Sequence, residues 1–143
     1  MSKVSDAVDL FEKGCVCSQA ILAVYGEPLG LDRTQAMRIA SGFAGGMCMA
    51  ETCGAVTGAM MVLGLRHCEG DCTTGSDRAT TYAAVREFIS RFKMRNGSVT
   101  CKGLLGCDIS TTEGAEAARE QDLYKTTCPK LVEDAAVILE EML

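Results

Sequence analysis

Apolar positions recur at helical spacing almost from the first residue. Between Val4 and Tyr25, the residues Ala7, Leu10, Phe11, Cys15, Ala20, Ile21, Leu22 and Val24 fall near a 3.6-residue period, which predicts one long opening helix. Ser5 is placed to cap it, and Gly26-Glu27-Pro28 to end it. A second helix is expected from Asp32, with Gln35 as its capping-box partner, through Met37, Ile39 and Ala40. The glycine-rich run Ser41 to Met47 reads as a turn or a broken helix. A third helix over Thr52–Leu65 carries one face of small residues: Gly54, Ala55, Gly58 and Ala59. Arg66 to Ser76 reads as a loop. Asp77–Asn96 is amphipathic, with Ala79, Tyr82, Val85, Ile89 and Phe92 on its apolar side and Gly97 as its stop. Cys101–Asp108 fits a turn or half-helix, and Thr111–Asp122 a loop or short helix. Pro129 suits the first residue of a last helix running to about Glu141. No stretch alternates with a period of two. The expectation is one all-α domain over residues 1–143, a bundle of about five helices.

Composition narrows the function classes. Hydrophobic residues make up 48% of the 143 and charged residues 23%, the balance of a folded globular chain. Aromatics are only 5% with no Trp, so Ala, Val, Leu, Ile and Met must build the core. The net charge of −5, with 14 Lys and Arg spread along the chain, argues against a nucleic-acid partner, which needs a basic face. The first residues hold no apolar segment of the secretory kind. The uncharged run Thr52–Leu65 is fourteen residues, short of the roughly 20 that span a bilayer. These readings point to a cytoplasmic protein without membrane insertion.

Nine cysteines change the picture. In a reducing compartment such a count points to metal ligation or thiol chemistry rather than a disulfide framework. Cys53 opens the small-residue helix, where free N–H groups and the helix dipole favour a thiolate. Its other reading is a small apolar core residue. Cys128, just before Pro129, is expected at the N-cap of the last helix, where the same argument holds. Cys17 falls inside the opening helix, and Cys101 begins the segment after Asn96. The four lie 36, 48 and 27 residues apart, so any shared site is assembled by the fold rather than by a local C-x-x-C run.

Five strings in order carry a resemblance: Cys17-Ser18-Gln19-Ala20, Gly42-Phe43-Ala44-Gly45-Gly46, Cys53-Gly54-Ala55-Val56-Thr57-Gly58, Cys101-Lys102-Gly103-Leu104-Leu105-Gly106, and Cys128-Pro129. Together they resemble the C_GCAxxG_C_C family of putative redox-active proteins. Here the core motif reads Cys-Gly-Ala-x-x-Gly, with neighbouring residues exchanged relative to the family form. The resemblance implies a stand-alone redox protein whose four cysteines form one site. Related domains occur in multi-domain proteins with iron centres, including split-Soret-type cytochromes. An iron–sulfur cluster held by Cys17, Cys53, Cys101 and Cys128, serving electron transfer or sensing, is therefore the leading cofactor. Haem is not implied: there is no C-x-x-C-H, and His67 is the single histidine.

Two other chemistries fit the same residues. Without metal, Cys53 would attack as a thiolate and another of the four would resolve it, making a thiol–disulfide oxidoreductase. With zinc, the four would be a structural staple in an accessory protein. The remaining cysteines carry weaker signals. Cys15 and Cys17, two apart on one helix, would diverge, leaving Cys15 an ordinary thiol. Cys48 reads as packing, with an extra ligand or resolving thiol as the alternative. His67, Cys68 and Cys72 read as an exposed loop, with a metal site or small disulfide as alternatives. Cys107 reads as structural. The glycine-rich run lacks the Gly-Lys-Ser/Thr ending of a phosphate loop and is expected to allow close approach to the cysteine site. Met47, Met49, Met60, Met61 and Met94 read as core filler. A redox partner protein is implied, and the small-residue faces leave a homodimer open.

Overall fold

The structure is a computed structural model that describes residues 2–69 and 75–143. Among these it is all-helical, with one isolated β-bridge. Eight α-helices, rather than about five, follow in order: α1 Lys3–Glu12, α2 Cys17–Gly26, α3 Arg33–Ala40, α4 Gly54–His67, α5 Gly75–Asn96, α6 Cys101–Leu105, α7 Thr112–Glu120 and α8 Leu123–Met142. A short 3-10 turn, Glu27–Leu29, follows α2.

The excess has local causes. The opening periodicity is real but spans two helices. Gly14 takes φ of +115° and Val16 is extended, so the chain turns between α1 and α2. Ser2, not Ser5, caps α1 by accepting from the Ser5 N–H. The last helix starts six residues before Pro129. Asp122, in a left-handed conformation, starts it, and Pro129 sits inside. Cys128 is therefore a helical residue and not an N-cap. The missing proline N–H leaves the carbonyl one turn back, on Lys125, without its helical donor.

Helix α2 is apolar on every side and buried from Ala20 to Gly26, as such a helix must be. α1, α3, α4 and α8 pack around it, and α5 closes the far side of α4 and α8. The small-residue face of α4 is the reason α2 can lie so close. A methyl group at Gly58 would stand 3.0 Å from the Ser18 carbonyl oxygen and 3.1 Å from the Ile21 Cβ. α5 buries Phe88 and Phe92, stacked 6.1 Å apart, while Tyr82 on the expected apolar side is 53% exposed.

The start of α2 is fastened to α3. The Ser18 hydroxyl, fully buried, donates to the Ala40 carbonyl at 2.8 Å. The Gln19 amide donates to the Met37 carbonyl and accepts from the Val16 N–H, both at 3.0 Å. At the other end of α3, Asp32 caps the helix as expected by accepting from the Gln35 N–H at 3.1 Å. Asp32→Ala is expected to lower stability by about 1 kcal/mol, read as a shift in a urea midpoint with unchanged slope.

Candidate functional site

Where the α1–α2 connection, the glycine-rich run and the start of α4 meet α6 and α8, a cavity of about 630 Å³ opens. Cys17, Cys53, Cys101 and Cys128 all line it, as do Cys15 and Cys48. The fold thus brings together the four cysteines singled out in the sequence and adds Cys15, which reads as an ordinary thiol, and Cys48, which reads as packing.

Each of the four is set by a definite backbone device. Cys17 is the first residue of α2, not an interior one, and so sits at a helix N-terminus. Cys53 is the N-cap of α4. Cys101 is the first residue of α6, whose N-cap Thr100 accepts from the Gly103 N–H at 3.1 Å. Cys128 lies on α8, one turn after Tyr124. The Thr52–Thr100 bridge joins two of them: the Cys53 N–H donates to the Val99 carbonyl at 2.8 Å, and the Cys101 N–H to the Glu51 carbonyl at 2.6 Å. Cys53 and Cys101, 48 residues apart, are thereby held on adjacent antiparallel segments.

The glycine-rich run forms the cavity wall as a left-handed turn. Gly45, Gly46, Met47 and Cys48 have φ between +60° and +63°, and Ala50 has +55°. For Met47, Cys48 and Ala50 this conformation costs on the order of 1 kcal/mol each, so the surrounding structure imposes it. Glu51 closes the turn by donating to the Gly46 carbonyl at 3.1 Å. Gly45 lines the cavity with Cys17, and its N–H helps hold the Cys17 thiol down. Gly54 approaches Cys17 from α4: a methyl group there would overlap Cys17 Sγ.

The electrostatics divide the four unequally. The neighbouring Cys53 thiol above all holds Cys17 below the ordinary thiol range. Burial opposes this, and the N–H groups of Ser18, Cys17 and Gly45 reinforce it. Cys53 is held well above that range, first by the Cys17 sulfur beside it and then by burial and the Cys17 charge. At the N-cap of α4 the Ala55 N–H lowers Cys53 as its helix-terminal place leads one to expect, but the Cys17 sulfur and burial outweigh it; at Cys17 the N–H groups at the start of α2 act in the same lowering direction. Burial pushes Cys101 up to about 11, with the Cys17 and Cys107 charges adding to it. Burial likewise pushes Cys128 up to about 12, aided by Cys17 and Cys101. Among the described residues no Lys, Arg or His lines the cavity to offset negative charge.

The other cysteines are now placed. Cys15 lies in the α1–α2 connection rather than on a helix, which is how it and Cys17 share a cavity despite the divergence expected on one helix. Cys48 is exposed, not packed. Cys107 packs beside Cys101 and Leu105, where its charge acts on Cys101. Cys68 is disulfide-bonded, His67 is the last residue of α4, and Cys72 lies outside the described residues. Among the described residues no three His, Cys, Asp or Glu side chains stand close enough to hold a single ion. No helix among the described residues is long and apolar enough to cross a membrane.

A family model described as "Putative redox-active protein (C_GCAxxG_C_C)" matches residues 15–142. The chain belongs to this family. Within the matched span, Gly54 and Gly58 are the two glycines that admit α2 against α4. No curated protein and no solved structure matches the chain.

Proposed function

We propose that this redox-family protein carries an iron–sulfur cluster on Cys17, Cys53, Cys101 and Cys128, for electron transfer or for sensing. The observation that carries the reading is the convergence of four thiols on one cavity, with mutual charge effects linking Cys17 to each of the other three and Cys101 to Cys53 and Cys128. A metal-free dithiol needs only two of them. Four thiols without a cation beside them also form a site whose charge is unbalanced. Three are kept protonated by burial and by one another, and a ferric core would displace those protons and supply the missing positive charge. A cluster spreads its thiolates around several metal atoms, which suits sulfurs ranged about a cavity. A lone zinc draws four ligands to within about 2.3 Å of one point. The cluster would supply one-electron chemistry. The chain's own part is to hold the sulfurs, to donate the Gly45 and Ser18 N–H groups to the Cys17 sulfur, and to limit water through Phe11, Leu105, Ile109 and Leu131.

Iron and acid-labile sulfide, measured per chain on protein purified without oxygen, test this. Equal amounts are expected in the parent and none in the variant with all four cysteines changed to Ser. A parent that stays free of iron after anaerobic reconstitution would sink the cluster reading.

One observation favours a second reading for the metal-free protein. Cys17 and Cys53 stand side by side, one held below and the other above the ordinary thiol range, as in a reactive dithiol. In that chemistry Cys17, not Cys53, is the nucleophile.

A further inference from the structure

A second hollow shares no lining residue with the cysteine cavity. It is a groove of about 610 Å³ between the α2–α3 connection, α3, the end of α4 and the start of α5. Small-molecule sites run from roughly 300 to 1,000 Å³. The buried Leu22 lies at its floor, and Ile39, Leu65 and Tyr82 expose apolar surface around it. Gly64, inside α4, also lines it. A methyl group there would meet nothing within 4 Å among the described residues, and its φ is not positive. Gly54 and Gly58 admit α2, but Gly64 admits no part of the chain; its missing side chain weakens the helix and leaves the groove open. The Thr81 hydroxyl, on the α5 wall, is buried with no hydrogen-bond partner, whereas its neighbour Thr80 donates to the Ser76 carbonyl one turn back at 3.0 Å. Among the described residues Arg78 is the one charged side chain on the lining, and no carboxylate lies there. Arg86 stands over the Tyr82 ring at 5.9 Å, and Arg38 and Arg66 adjoin Ile39 and Leu65 in the chain. None of these four makes a salt bridge among the described residues, whereas Arg33, Arg91 and Arg95 do.

We propose that this groove binds an aliphatic monocarboxylate as a free small molecule. The hydrocarbon chain lies on Leu22, Leu31, Met61 and the bare backbone of Gly64, where burying it removes apolar surface from water on both sides. The carboxylate meets Arg78, whose planar guanidinium matches it with two parallel N–H···O bonds. Rotation about the Thr81 Cα–Cβ bond exchanges hydroxyl with methyl, so this orphan donor turns to a carboxylate oxygen brought into the groove. An uncharged chain would leave Arg78 unanswered, and a cationic head would be repelled by it. The reading is independent of what the cysteines hold.

The test is calorimetric titration of the full chain with decanoate, kept below its micelle concentration, beside sedimentation of the same samples. One decanoate per chain is expected. Arg78→Gln is expected to weaken decanoate about tenfold or more while leaving the affinity for decanol unchanged. Thr81→Val should weaken decanoate severalfold with the urea midpoint the same or raised, since it removes a buried hydroxyl that has no partner; the lost affinity is then not lost folding. Gly64→Leu fills the groove with a better helix former and is expected to abolish binding in a protein at least as stable. No binding by the parent, an affinity unchanged in Arg78→Gln or in Gly64→Leu, or equal affinity for decanoate and decylamine would overturn the proposal. So would a parent that sediments as a dimer beside a monomeric Gly64→Leu protein, because a second copy of the chain would then be the occupant.

Discussion

Gly54→Ala is expected to disable the site and to destabilise the fold together. In an open helix this change is favourable, because alanine is the better helix former by up to about 1 kcal/mol. At position 54 the added methyl overlaps Cys17 Sγ and stands 3.2 Å from the Ser18 nitrogen and 3.3 Å from the Ala44 Cα. The last two atoms are backbone and cannot turn aside, and the start of α2 is pinned to α3 through Ser18 and Gln19. The expected net cost is about 2–3 kcal/mol, or roughly 5–10 °C in melting temperature for a domain of this size. Cys17 would also be moved out of reach of the Cys53 thiol and the Gly45 N–H, so its reactivity toward alkylating agents should fall to that of an ordinary buried thiol. Gly64→Ala, on the same helix with nothing within 4 Å of the new methyl, is the control and should leave the protein as stable or slightly more so. A Gly54→Ala protein as stable as the Gly64→Ala one would show that the α2–α4 contact is looser than the structure has it.

The second large effect is alkaline instability of the metal-free protein. Cys101 and Cys128, near 11 and 12 when folded, ionise in the unfolded chain near the ordinary value of 9.0. Between those values the folded state holds more protons than the unfolded one, so stability is fully present below about pH 9 and is lost as pH rises toward 11–12. Cys53, raised for the same reasons, acts in the same direction. Cys17 acts oppositely: its lowered value adds stability that is present above pH 9 and lost on acidification. Tyr25 and Tyr124 are also raised, by burial and by Glu140 and the thiols respectively, but their ordinary value is 10.0. The interval from pH 9 to 10 therefore belongs to the thiols. Allowing for solvent screening of half-buried groups, the fall there should be about 1 kcal/mol per pH unit. Chemical denaturation across that interval should show it, and the Cys101→Ala/Cys128→Ala protein should show a flatter curve.

Much of this was legible in the sequence where the signal is local. Asp32 before a periodic run, Cys53 before a small-residue helix, and Gly54 with Gly58 one turn apart all speak through their immediate neighbours, and the structure uses them as read. What escaped depends on distant contacts. The left-handed turn that Gly45 and Gly46 announce runs on through Met47 and Cys48, two residue types that rarely adopt that conformation and so give no local sign of it. Gly14 breaks one helical period into two without disturbing the apolar spacing, so Cys17 looked interior when it is terminal. Pro129 is a strong start signal that tertiary packing overrode: Leu131, Val132, Ala135 and Ala136 bury α8 in the core well enough to carry one missing backbone bond. Phe88, rather than Tyr82, is buried on α5, in the half of the helix where α8 meets it through Arg91–Glu141, Arg95–Asp134 and Lys130–Asn96.

The site lies on the join between two apolar clusters. Cys53 belongs to the large one and Cys17 packs against it, whereas Cys101 belongs to a small one with Ala50 and Leu105, against which Cys128 and Cys107 pack. The small cluster joins the rest through the Thr52–Thr100 bridge, the Lys102–Glu51 pair, Leu104 and the length of α8. Such a unit can open by itself, at a free energy well below that of global unfolding. Anything gripping all four sulfurs would act as a rivet across that join, and its presence would be felt as slowed amide exchange in α6 before any change at Phe88 or Ile21. Loss of the occupant would then loosen one corner of the molecule, giving a partner a means to distinguish the filled from the empty protein by its mobility alone.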